Sequence, residues 1–191
     1  MNLVKKIARF MQARLFVRDT VILFKMEQVK NINSSAIIKI ANLENLNDIM
    51  NFQEAKYLSI FKDFLKKGDI GYLGYLNGQC IHRSWVVNKE SSVVHLHPFV
   101  KKKLKKNEIF IHYCETATSA RGNNVYPFVI SEIAKDNPDK EVLICVNKKN
   151  AASLKGVKKA GFKPIQTIII IVFLGLVIRF KKDFKGAEIF E

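Results

Sequence analysis

Arg121-Gly122-Asn123-Asn124, and further on Asn150-Ala151-Ala152-Ser153 leading into Lys158-Lys159-Ala160-Gly161-Phe162, are the stretches that decide the fold. The first sets a glycine among small polar residues just before a helical pattern. A helix begins with amide hydrogens that lack intrahelical acceptors and with the positive end of its dipole. Glycine leaves those amides open to a phosphate, so the spacing predicts a phosphate-facing turn. Pro127 has no N–H and costs little only within about the first turn of that helix. The second stretch reads as a helix closed by Gly161 and followed by a strand. Two such units in this order imply a site for a phosphorylated ligand.

Working outward, the tail reads as a strand over 109–116, a helix over 123–135, a polar loop over 136–140, a strand over 141–147, a helix over 150–159, and strand material over 162–178 with a break at Gly175. The front half reads as antiparallel. Asn77-Gly78 between the β-prone runs 70–76 and 79–87 is a hairpin signal, because both residues tolerate positive φ. A strand over 92–100 should lead to a solvated hairpin tip at 101–106 and return over 108–116. Residues 42–67 place Leu46, Ile49, Met50, Leu58, Phe61 and Leu65 at helical spacing, closed by Gly68, and predict one long helix. Residues 14–26 predict an early hairpin turning at Arg18-Asp19, and residues 3–15 a basic amphipathic helix packed on the domain.

The 191 residues and 48% apolar content suffice for a buried core without disulfides. Cys80, Cys114 and Cys145 are dispersed, with no CxxC, which fits a reducing cytoplasm. The longest apolar run, 168–178, is too short for a spanning helix, so a cytoplasmic, soluble protein is expected. Net charge is +15 and uneven: residues 142–182 hold nine Lys/Arg and no acid. Such clustering suits a polyphosphate ligand, nucleic acid or an anionic membrane surface.

The two opening stretches resemble the cofactor motifs of the GNAT superfamily of acyl-CoA-dependent N-acyltransferases. Ser119-Ala120-Arg121-Gly122-Asn123-Asn124 is similar to its Arg/Gln-x-x-Gly-x-Gly/Ala turn, with departures at Ser119 and Asn124. The segment from Asn150 to Phe162 resembles its Asn-x-x-Ser/Ala…Lys-x-Gly-Phe motif. The similarity covers roughly residues 35–175. It implies an α/β (α+β) fold: a single domain over 35–191, with a central mixed, twisted sheet, a splayed strand pair and helices on both faces. Residues 1–34 would be an N-terminal helix and hairpin packed on it. By this resemblance Thr116, Ala117 and Thr118 face the pantetheine arm of acetyl-CoA or another acyl-CoA. Arg121, Gly122, Asn123, Asn124 and Val125 hold the pyrophosphate, and Asn150 and Ser153 line the far side. Position and charge suggest Lys148, Lys149 or Lys155 for the 3′-phosphate.

Amine acylation needs a neutral amine and a proton for the departing thiolate. Glu108 resembles the strand glutamate used as base in histone-acetylating members; Glu115 and His112 are the rivals. On a regular strand Glu108 and His112 share a face and Glu115 lies on the other. The family's tyrosine, seven residues after the Asn, is here Val157, so either Tyr126, Tyr113 or Cys114 donates, the thiolate leaves without a side-chain acid, or the reaction differs. His95 and His97 alternate on one strand, but without zinc-type spacing no metal is expected. Trp85, Tyr72, Tyr75 and Phe99 read as core more than as a substrate wall. The expected activity is acyl transfer to a primary amine, an amino sugar or other small amine, by a monomer or homodimer. Nucleic acid is not an expected partner, and the basic N-terminus suggests weak contact with anionic membrane. The alternative is a basic nucleic-acid- or membrane-binding module on an inactive form of the same fold.

Overall fold

The computed structural model describes residues 16–184, so the amphipathic segment at 3–15 lies outside the described residues. Strands β1 (Phe16–Met26), β2 (Ile37–Ile40), β3 (Ile70–Leu76), β4 (Gln79–Val87), β7 (Glu108–Thr116), β8 (Glu141–Asn147), β9 (Phe162–Phe173) and β10 (Leu176–Asp183) build one mixed sheet. Its order is β10-β9-β1-β8-β7-β4-β3-β2. The β7–β8 pair is parallel and the others are antiparallel. Strands β5 (Val93–His97) and β6 (Val100–Lys103) form a separate two-stranded ribbon.

Alternation along the strands divides the core. Ile109, Ile111, Val142 and Ile144 face helices α2 (Val125–Lys135) and α3 (Ala151–Ala160). Phe110 and Leu143 point the other way, under the β5–β6 ribbon with Val94, Leu96 and Val100. On that same side, helix α1 (Leu58–Lys67) packs Phe61 on Trp85, their rings stacked 5.6 Å apart. Trp85, Tyr72 and Tyr75 are buried core residues and Phe99 is packed against the ribbon core, so none of the four forms a substrate wall. Each fully buried large apolar side chain contributes roughly 1.5–3 kcal/mol, so burial on both faces is what makes the sheet stable.

Three expectations are corrected. Where a hairpin was expected at 14–26, the described part, Phe16–Met26, is a single strand with Arg18-Asp19 inside it. Asp19 is tolerated there because Asn147 Nδ2 and the Thr20 amide donate to its carboxylate at 2.9 Å. β1 is inserted between β8 and β9, paired from Val21↔Asn147 to Lys25↔Leu143 on one side and along its whole length on the other. The helix expected over 42–67 is α-helical only in α1; upstream are short 3-10 turns at Leu46–Asn51 and Ala55–Tyr57. Asn42 Oδ1 accepts from the Glu44 and Asn45 amides, and Asn45 Nδ2 donates to the Ile40 carbonyl. Such local side-chain bonds compete with helix. The lysines of 101–103 belong to strand β6, and the ribbon turns at Pro98-Phe99 instead.

The Asn77-Gly78 hairpin forms as expected, with φ of 50° and 79°. Gly161 closes α3 at φ 104°, and a Cβ there would lie 1.8 Å from the Gln28 carbonyl oxygen. Only glycine fits at that crossing.

Candidate active site

Strands β7 and β8 pair only as far as Ile111↔Ile144. Beyond that point β7 continues along β4 and β8 along β1, so the two diverge. The gap opens into a cleft of about 690 Å³ lined by the end of β7, the glycine turn and the first turns of α2 and α3.

The turn is built by backbone conformation. Gly122 takes φ 90° and Asn124 φ 57°, both left-handed, and Asn124 starts α2 without a side-chain cap. The first hydrogen bond there runs from the Phe128 amide to the Asn124 carbonyl. The Val125 and Tyr126 amides therefore have no intrahelical acceptor, and Pro127 falls where its missing N–H costs nothing. Asn150 begins α3, its side chain accepting from the Ser153 amide at 3.0 Å.

Of the residues singled out in the sequence, Glu115, Thr116, Arg121, Gly122, Asn124, Val125, Asn150, Ser153 and Lys155 meet at this cleft, with Tyr126 and Cys114. Ala117, Thr118 and Asn123 are not among its lining. The Ala117 amide is already bonded to the Ile81 carbonyl at 2.8 Å, and the Asn123 side chain donates to the Ala120 carbonyl. Lys148 is exposed away from the cleft, and Lys149 points to Asp19 at 4.0 Å. Lys159, to which sequence reasoning assigned no role, takes their place: one helical turn from Lys155, it donates to Asn124 Oδ1 at 2.7 Å. The i, i+4 lysine spacing was the signal.

Glu108 is at the closed end of β7, roughly 20 Å of strand from Glu115. Its carboxylate accepts from Lys102 Nζ at 2.6 Å and from the Lys105 amide at 2.9 Å. Burial pushes the Glu108 carboxyl up, but these bonds and the lysine charges outweigh it and leave it below the ordinary carboxylate range. It cannot serve as base in this cleft. His112 also stays outside the lining; it packs against the Phe64 ring at 4.9 Å, with Asp69 3.5 Å from its Nε2.

The expected division of faces fails for a specific reason. Trp85 opposes His112 and Arg83 opposes Glu115, so Tyr113 and Cys114 together face Ser84. This is a β-bulge, and Tyr113 carries its strain at φ 49°. Arg83 Nη1 donates to the displaced Tyr113 carbonyl. The extra residue brings His112 and Glu115 onto the same face, away from α2 and α3.

Cys114 and Thr116 point towards α2 and end a buried polar file. His82, fully buried, bonds Thr116 Oγ1 at 2.7 Å and Ser84 Oγ at 2.8 Å, and Ser84 reaches the Cys114 thiol. Burial, with the Arg83 charge, pushes the imidazole down to about 3, so it is neutral. Burial pushes the Cys114 thiol up to about 11, too high for a thiolate nucleophile near neutrality. Tyr126 rests on helix α3: a Cβ at Gly156 would come within 2.5 Å of its ring. Burial raises its hydroxyl well above the usual range, so it is protonated. Tyr113 lies on the other face, half exposed beside Phe64.

Arg121, Lys155 and Lys159 thus line a cleft with Glu115 as its carboxylate, and Arg121 Nη2 meets Glu115 Oε1 at 3.1 Å. His95 is exposed, and His97 sits 3.4 Å from Asp19. Among the described residues no group of three His, Cys, Asp or Glu side chains is placed to hold a metal, and no helix is long and apolar enough to cross a membrane.

No family model matches the chain, and no curated protein matches it in sequence. Solved structures match it in fold. An acetyltransferase of the GNAT family from Colwellia psychrerythraea is similar over 88% of this chain and 60% of that one, at TM-score 0.62 and 13% identity. A GCN5-related glucosamine N-acetyltransferase region of a fungal multi-domain GH3 beta-N-acetylglucosaminidase is similar over 94% of this chain and 23% of that one, at TM-score 0.58 and 12% identity. A GCN5-related N-acetyltransferase-like protein from Streptococcus suis covers 90% and 68%, at TM-score 0.54 and 11% identity. The chain spans 60% of the Colwellia protein's length. The chain shares its fold with these solved structures.

Proposed function

We propose that this protein is an acyl-CoA-dependent N-acyltransferase, moving an acetyl group from acetyl-CoA to the primary amine of a small acceptor such as an amino sugar. The observation that carries the reading is the divergence of β7 and β8 directly above unbonded helix amides and a cationic rim. A pantetheine arm is narrow and amide-bearing, and a strand gap with free edge groups suits it. A pyrophosphate suits the Val125 and Tyr126 amides, the open Gly122 and the Arg121 guanidinium. Lys155 and Lys159 suit the 3′-phosphate. The donor set therefore fits this co-substrate.

Acetyl-CoA supplies an acyl group activated as a thioester. Glu115, lining the cleft on the face away from α2 and α3, takes the proton of the acceptor ammonium so that the amine can attack. As the C–S bond breaks, a proton must reach the thiolate. Tyr126 and Cys114 are the protonated groups in the cleft, and Tyr126 takes over from the family tyrosine absent at Val157, which is buried in the core. The binding file through His82 keeps Thr116 oriented at the gap.

Calorimetry with acetyl-CoA tests the reading, with binding expected at dissociation constants of about 1–100 μM, or roughly −8 to −5 kcal/mol. Thiol release on adding amines should follow. No binding of acetyl-CoA, together with salt-sensitive binding to DNA or anionic vesicles, would replace the enzyme with a basic binding module.

A further inference from the structure

Arg83 is a cation for which the cleft chemistry above has no use. It is 5% exposed, and its guanidinium lies over the Phe61 ring at 4.5 Å. Nε donates to Gln53 Oε1 at 2.6 Å and Nη1 to the Tyr113 carbonyl. Both acceptors are neutral. Among the described residues Arg83 forms no ion pair with any carboxylate. Nη2 donates to no described group, and it is not sealed from solvent. A buried charge is costly unless something of opposite sign meets it. Bracing the bulge does not explain the charge, since a neutral amide would bond the Tyr113 carbonyl as well.

Glu115 stands directly opposite Arg83 across β4 and β7. Opposed residues hold their Cβ atoms about 5 Å apart on one face. Yet the Glu115 carboxylate is turned to Arg121 at the cleft rim. Buried Arg83, just outside the cleft's lining, and cleft-lining Glu115 therefore occupy opposed positions of neighbouring strands, on the face away from α2 and α3. One charge of each sign is what a small zwitterion needs from its site. The guanidinium's remaining donors form a planar fork, and the flat Phe61 and Tyr113 rings border it. That shape suits a planar carboxylate better than a phosphate.

Resting on the acyltransferase reading, we propose that the acceptor is an amino acid, its carboxylate bound by Arg83 and its ammonium delivered to Glu115. Arg83 is then the residue that selects carboxylate-bearing amines from other small amines.

The test is a set of matched pairs differing only in the carboxylate: glycine, phenylalanine, lysine and leucine against their decarboxylated amines, as free acceptors and as N-acetylated products. Calorimetry reads binding of the N-acetylated compounds with and without CoA, and thiol release reads turnover of the free amines. A charge-assisted pair at a partly desolvated site predicts a preference of about 10- to 100-fold for at least one carboxylate compound over its mate. Arg83→Gln should abolish that preference while leaving acetyl-CoA affinity unchanged. Because Arg83→Gln also takes the guanidinium from between the Phe61 and Tyr113 rings, the wild-type preference decides by itself. Equal binding and equal turnover within every pair overturn the proposal, even where acetyl-CoA binds and amines are acetylated. A carboxylate preference without acetyl-CoA binding would keep the anion site and remove the acyltransferase instead.

Discussion

Acidification should destabilise this protein through His82 in a way that can be calculated. The imidazole is fully buried between Thr116 and Ser84 and held down to about 3, against about 6.5 in an unfolded chain. Its folded value is depressed, so between pH 6.5 and 3 the unfolded state binds the extra proton. Stability from this group is complete above pH 6.5 and is lost as pH falls towards 3. Integrating the linkage from pH 7 to pH 5 gives a loss of about 2 kcal/mol. Urea unfolding at both pH values measures the change. His82→Gln, which retains an amide to bond Thr116 or Ser84, should be less stable at pH 7 but should lack about 2 kcal/mol of the acid-induced loss. Contributions common to both proteins cancel in the difference. Equal pH dependence of wild type and variant would refute a neutral, sealed His82, and with it the rigid seat assigned to Thr116.

Lys155→Ala and Lys159→Ala should each weaken CoA binding by about fivefold, near 1 kcal/mol for exposed charges at contact, and raised salt should shrink the effect. Lys148→Ala should leave affinity unchanged, and dephospho-CoA titrated by calorimetry should be nearly insensitive to both cleft lysines. Gly161→Ala must place a methyl against the Gln28 carbonyl at positive φ, and should cost about 3 kcal/mol or more in chemical denaturation. A loss below about 1 kcal/mol would show that the crossing is loose. Glu108→Gln removes the Lys102 ion pair but not a cleft group, so it should lower stability by about 1–3 kcal/mol at pH 7 with thiol-release rates intact. Its cost should fade as pH drops through the depressed Glu108 value, where the wild-type carboxylate is itself protonated.

The tail of the fold was legible because each signal there is local. Gly122, Asn150 and Gly161 act on their own turns, and Asn77-Gly78 closes its hairpin from within. What misled was non-local. Arg18-Asp19 looks like a turn because a charged pair rarely sits mid-strand, and Asn147, far along the chain, is what joins the Thr20 amide in making Asp19 acceptable there. The stripe over 42–67 has helical spacing, yet Asn42 and Asn45 divert the backbone before the helix can start. The site divides in the same way. Arg121, Gly122, Asn124, Val125, Asn150 and Ser153 meet at one cleft as the motif spacing suggested, whereas the face that Glu115 shares with His112 is set by the bulge at Tyr113. No run of residues around Tyr113 announces it. Arg83 and Lys159 came into view only once the sheet and helices had been assembled.

The insertion of β1 between β8 and β9 bears on how the protein is made and divided. β1 leaves the ribosome before both strands that flank it, and the sheet stays open along that line until β9 exists. Pairings this distant slow folding, and open strand edges invite other chains to add themselves. The same geometry offers a practical handle. A peptide carrying β1, supplied separately, should slot into a chain lacking it and reconstitute the sheet. Recovery of cooperative unfolding by the two pieces would then report assembly, because β1 pairs with β8 on one side and β9 on the other.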